Sequence, residues 1–126
     1  MSWRAEAGQT TKETNLQGAA LARRIVDDLA DRQAEEIVLL DISTVSSLAD
    51  YFVIASATSS RQFEALAEAI KAAPSRAQAR REGTADGGWQ LFDFGDVVIH
   101  LFNRETRAYY RLEELWSAGK QLLRIE

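Results

Sequence analysis

Few side chains in this sequence are placed to do chemistry. Asp41, Asp50, Asp93 and Asp96 stand in or beside apolar runs, and one histidine, His100, lies inside such a run. Two or three carboxylates converging on magnesium, with a loop that holds phosphate, would make a metal-dependent nucleotidyl-transfer site. The adjacent carboxylate pair after a glycine-serine turn that such a site needs is missing. Asp96 belongs to a turn, and Asp93 falls on the opposite strand parity from Phe92 and Phe94. Asp50 reads as a turn or strand-edge carboxylate, with a partner contact or a metal ligand as the alternative. His100 has no nucleophile beside it for a triad. As a strand residue its ring is expected to pack beside Leu91 and donate one hydrogen bond. With an ordinary pKa near 6.5 it would weaken partner docking in acid. There is no cysteine and no second histidine, so disulfides, thiolate metal sites and multi-histidine sites are excluded.

One turn invites an anion. Thr58, Ser59 and Ser60 follow the apolar run Tyr51 to Ala55, and free N–H groups at a helix start can hold phosphate. The glycines of a phosphate loop are absent, however, and the three hydroxyls serve equally as helix caps.

These residues need elements to position them. Tyr51 to Ala55 is apolar on both parities, the mark of a central strand. Ser59 with Gln62 reads as a capping box. It starts a helix whose stripe is Phe63, Leu66, Ala67 and Ile70, ending before Pro74. Upstream, Asn15 is read as the cap of a helix over Leu16 to Arg32, with Leu21, Ala22, Ile25, Val26 and Leu29 on one face. Ile37 to Leu40 is a short buried strand, joined to the central strand by too few residues for a crossover, so the two are antiparallel neighbours. Ser75 to Glu82 reads as a charged edge strand, and Gly83 to Gly88 as a flexible turn. In the last helical region Tyr109, Leu112, Leu115 and Trp116 are expected on the core, with Arg107, Tyr110 and Arg111 at the surface.

The segment Trp89 to Phe102 is the most informative. Gly95-Asp96 divides it as a two-residue hairpin turn with glycine first. Pairing outward puts Phe92, Phe94, Val97, Ile99 and Leu101 on one face, suited to a core under helices. Trp89, Leu91, Val98 and Phe102 share the other face with Asp93 and His100. Three helical segments hardly cover both sides of a sheet, so this second face is the candidate protein-binding surface. Cover by the tail or by the last helix is the alternative.

Length and charge set the frame. The 126 residues suffice for one domain. A formal net charge of −4 disfavours broad nucleic-acid binding but not docking on a basic protein. No run approaches the ~20 apolar residues that span a bilayer, and the start lacks the apolar centre of a signal peptide. A cytoplasmic location without a membrane partner is expected.

Two motifs stand together at fixed order: Ala49 to Ala55 with Thr58 to Gln62, and Trp89 to His100 with Glu105-Thr106-Arg107 and Leu112 to Trp116. From about Leu16 to Trp116 they resemble the ribosomal silencing factor family, RsfS or Iojap. The resemblance implies an α/β (α+β) fold. It would be a single mixed β-sheet of about five strands with helices mainly on one face, of nucleotidyltransferase-like topology without the active site. It implies a domain at 15–117 between a flexible tail at 1–14 and a C-terminal tail at 118–126. It further implies binding to the large ribosomal subunit through its protein L fourteen. That binding sterically blocks joining of the small subunit and represses translation under nutrient limitation, with no catalysis and no cofactor. The implied docking residues are Trp89, Leu91, Asp93, His100 and Phe102, with Asn103, Arg104 and Glu105 beside them. A nucleotidyltransferase-like metal-dependent enzyme is the alternative, as is a homodimeric adaptor without a ribosomal role. A homodimer also stays open beside ribosome binding.

Overall fold

The run Tyr51–Ala57 forms strand β2 in the interior of a six-stranded sheet. The computed structural model describes residues 16–126. Its elements are α1 (Gly18–Asp31), β1 (Glu35–Asp41), β2, α2 (Ser60–Lys71), β3 (Arg80–Thr84), β4 (Trp89–Asp93), β5 (Val97–Asn103), α3 (Arg104–Tyr110), α4 (Leu112–Leu115) and β6 (Lys120–Ile125). The sheet order is β3-β4-β5-β2-β1-β6. Among the described strands β2 and β5 run parallel, and the other pairs are antiparallel.

Burial on both faces explains why β2 is apolar on both parities. Val53, Ala55 and Ala57 meet Leu21, Ile25 and Leu29 of α1 and Phe63, Leu66 and Ile70 of α2, over Phe92, Ile99 and Leu101. Phe52 and Ile54 point the other way, into a smaller cluster with Val38, Leu40, Val98 and Phe102, which Leu112 and Trp116 partly cover. The two long helices thus share one face, and the short segments α3 and α4 lie against the other. The hairpin pairs as the sequence predicts: Phe92 with Ile99, Leu91 with His100, and Trp89 with Phe102. Gly95 takes φ +98, the conformation its turn position requires.

Several expectations change. The sheet has six strands, not five, because residues 118–126, read as a tail, carry β6, which pairs with β1. A register shift opposite Leu39 and Leu40 breaks the alternation that would have marked β6. The edge strand lies at Arg80–Thr84, since its register is set by Thr84 opposite Trp89. Ser75 instead bridges Leu16.

Asn15 and the 1–14 tail lie outside the described residues. The first helix begins at Gly18, and Gln17 in the cap position makes no side-chain cap. The Gly18 N–H donates to Asp96 Oδ2 at 2.7 Å, a carboxylate placed at the positive end of the helix dipole. Ser59 caps α2, its Oγ accepting from the Gln62 N–H at 3.1 Å. The reciprocal half of the box is absent. The Gln62 amide accepts from the Thr58 N–H and donates to the carbonyls of Arg32 and Gln33, which ties the start of α2 to the end of α1.

The helical period breaks at Arg111, which adopts φ 49, ψ 49 between α3 and α4. The break turns Tyr109 and Leu115 outward, at 80% and 74% exposed, and buries Arg107, whose Nη1 donates to Ser56 Oγ at 2.8 Å. Both placements reverse the sequence reading, which put Tyr109 and Leu115 on the core and Arg107 at the surface.

Candidate docking groove

The back faces of β4 and β5 form an aromatic row. Trp89 and His100 lie nearly parallel with centroids 6.2 Å apart, and His100 and Phe102 likewise at 6.4 Å. Tyr110, at the end of α3, tilts over Trp89 and Phe102 at 6.4 and 6.0 Å. Below, Phe52 meets His100 edge-on at 4.8 Å and Trp116 at 5.0 Å. Edge-on and offset contacts suit the ring quadrupoles. Between this row and α4 lies an apolar groove of about 170 Å³, lined by Trp89, His100, Phe102, Tyr110, Leu112 and Leu115.

The second sheet face is therefore not bare. Phe102 and His100 are 2% and 6% exposed, so they form the floor. Trp89 and Leu91 are half-buried. Of the two readings of this face, cover by the last helical region holds in part, because the break at Arg111 folds α4 back over the sheet.

Trp89 is held in place from behind. Gly88 has φ +79, and a Cβ there would come within 2.6 Å of Asn103 Nδ2 and 2.8 Å of Thr106 Cγ2. The Asn103 N–H donates to Gly88 O at 3.0 Å, and the Thr106 hydroxyl donates to Gly88 O as well. Asn103 caps α3, its Oδ1 accepting from the Thr106 N–H at 2.9 Å. The turn before β4 is thereby fixed to the start of α3.

His100 differs from expectation. Its Nδ1 accepts from the Trp89 indole N–H at 3.3 Å, so at that atom the ring accepts rather than donates. Burial pushes its pKa down to about 4. The ring is neutral from about pH 5.5 to 8, so weakening of docking by its protonation in that range no longer follows.

The other predicted residues sit elsewhere. Asp93 lies on the same face as Trp89 but is occupied: Oδ1 accepts from the Gly95 N–H at 2.7 Å, and Oδ2 pairs with Arg80 at 2.9 Å. Arg104 grips Glu35 with two hydrogen bonds of 2.9 and 2.8 Å. Its guanidinium holds the Glu35 carboxyl below the usual carboxylate range, and Glu35 raises Arg104 in return. Asn103, Arg104 and the exposed Glu105 line a polar cleft of about 350 Å³ with Thr58, Ser59 and Ser60, at the carboxyl ends of β2 and β5. The structure brings together Trp89, His100 and Phe102, and sets Asn103, Arg104 and Glu105 apart from them. Sequence reading gave Tyr110 to the solvent and Leu112 and Leu115 to the core, so it missed them as groove residues. The available signal was their apolar character just after the helical period fails.

The four aspartates do not gather. The Asp41 carboxylate accepts from the Ser43 hydroxyl and N–H, which hold it below its ordinary pKa. Asp50 is exposed and Asp96 serves α1. Among the described residues no three His, Asp or Glu side chains are placed to share a metal ion. No helix among them is long and apolar enough to cross a membrane.

Comparison with known proteins agrees with this architecture. A crystal structure from Chromobacterium violaceum superposes with a TM-score of 0.75 at 30% identity, covering 81% of this chain and 88% of that one. The ribosomal silencing factor RsfS of Zymomonas mobilis is 42% identical over 113 residues, which are 86% of this chain and 84% of that protein. The RsfS of Bacillus subtilis is 43% identical over 90 residues, or 69% and 76% of the two chains. Residues 14–126 match the family described as ribosomal silencing factor during starvation, and the chain belongs to that family, RsfS.

Proposed function

We propose that this protein silences ribosomes by docking on protein L fourteen of the large subunit, where it sterically prevents the small subunit from joining. Translation would then fall under nutrient limitation. The observation that carries the reading is the apolar groove with its exposed rim. Tyr109, Tyr110 and Leu115 are 80%, 51% and 74% exposed, beside a slot walled by Trp89. Clustered aromatic side chains around an apolar slot are what protein docking sites use. Trp89, His100 and Phe102 supply the wall and floor. Leu91 extends the contact along β4, with Asp93 at its far end; Asn103, Arg104 and Glu105 line the separate polar cleft and would join only as a second, polar contact. Obstruction needs no bond-making step, so the reading assigns no catalytic residue and no cofactor.

The test is sedimentation with purified large subunits. The wild-type chain should co-sediment. Trp89→Ala should stay folded but lose at least about 2 kcal/mol of binding, as central aromatic anchors do. Normal co-sedimentation by Trp89→Ala would overturn the assignment of the groove.

A further inference from the structure

The floor of the groove contains a polar atom that nothing among the described residues answers. The Trp89 indole N–H can only donate, so His100 Nδ1, at 3.3 Å, must present its lone pair. The single proton of the neutral imidazole therefore sits on Nε2. That N–H is fully buried and finds no hydrogen-bond partner among the described residues. Its ring neighbours are Phe52, Trp89 and Phe102, none of which offers an oxygen. A dry, unanswered donor is costly, and folds keep few of them. The cover over this floor is slight. It is α4, a single helical turn joined to α3 through Arg111 in the left-handed region, a conformation that costs energy in any residue but glycine. Leu115 on that turn is 74% exposed.

We infer that His100 is a recognition residue: when α4 shifts aside, its Nε2–H receives a backbone carbonyl from a partner segment that places one apolar side chain in the groove. The inference rests on the docking reading above and names the chemistry that this site selects. The occupant is a peptide segment because the slot needs two features side by side. One is an aliphatic or aromatic group to occupy the apolar slot beside Trp89 and Tyr110, which holds about 170 Å³ before α4 moves. The other is an uncharged acceptor that tolerates burial. A carboxylate would enter this apolar slot without a cation lining it, which is unfavourable. A main-chain carbonyl beside an apolar side chain supplies both.

The experiment has two arms. Affinity for purified large subunits is measured for wild type, His100→Phe and Trp89→Phe. His100→Phe keeps a flat ring and deletes the donor. It should keep or raise the melting temperature while weakening binding about tenfold or more. Trp89→Phe keeps the anchor ring but frees Nδ1 to carry the proton, so it should show a smaller loss. In the second arm, nitrogen NMR of the imidazole reads the tautomer. The free protein should show the proton on Nε2, and its resonance should move downfield on titration with isolated protein L fourteen. A proton on Nδ1, an Nε2–H resonance unmoved in the complex, or wild-type affinity in His100→Phe overturns the inference and leaves docking intact. Failure of the wild-type chain to bind large subunits overturns the docking reading and this inference with it.

Discussion

Acid should destabilise this fold through His100. Burial holds the folded pKa at about 4, whereas the unfolded chain should titrate at the ordinary 6.5. A group whose folded value is lowered binds fewer protons when folded. Its stability contribution is complete above about pH 6.5 and declines as pH falls toward about 4. Each pH unit inside that window is worth about 1.4 kcal/mol. Going from about pH 7.5 to about pH 5 crosses 1.5 units of it, or roughly 2 kcal/mol. Glu35 and Asp41 are also held below their ordinary values of 4.5 and 3.8, so their contributions vanish only in stronger acid and do not mask the effect. The assay is urea unfolding followed by tryptophan fluorescence across this range. The midpoint should fall with the slope unchanged. In His100→Phe the decline should disappear. A wild-type midpoint that is flat from about pH 7.5 to 5, or a His100→Phe variant that falls as steeply as wild type, would refute the reasoning.

Three further outcomes are expected. Gly88→Ala should cost about 2 kcal/mol in urea unfolding, because the positive φ disfavours any side chain and the new Cβ presses on the Asn103 amide that caps α3. Leu115→Arg should leave stability within about 0.5 kcal/mol, as exposed substitutions do, yet reduce co-sedimentation with large subunits roughly tenfold. Ser59→Ala should lower stability by about 1 kcal/mol through loss of the cap on α2, read by the same unfolding curves.

The pattern of apolar residues made the middle of this fold legible. Tyr51 to Ala55 announces an interior strand, and Gly95-Asp96 sets a hairpin register that holds at every pair from Phe92 to Trp89. Local chemistry carries such information, because turn geometry and strand parity are fixed within a few residues. What stayed hidden depends on distant contacts. Asp96 looks like an ordinary turn residue, and only the folded chain shows it accepting from Gly18, 78 positions away. β6 escapes notice because its short, irregular register is dictated by β1. The groove itself was half legible. Trp89, His100 and Phe102 follow from parity, but the roles of Tyr110, Leu112 and Leu115 turn on one left-handed residue, Arg111, that no periodicity announces.

The parallel pair also governs how the chain can assemble. Tyr51 faces Val97 across 46 intervening steps of sequence, whereas the hairpins on either side join near neighbours. Those hairpins can close early, but each leaves a sticky inner margin until the two central strands meet. That meeting carries the loop-closure entropy, so it should set the speed of refolding. Severing the chain between α2 and β3 would then part β2 from β5 and β1 from β6, leaving the first fragment a two-stranded ribbon unpaired on both borders, which seeks the second fragment or aggregates.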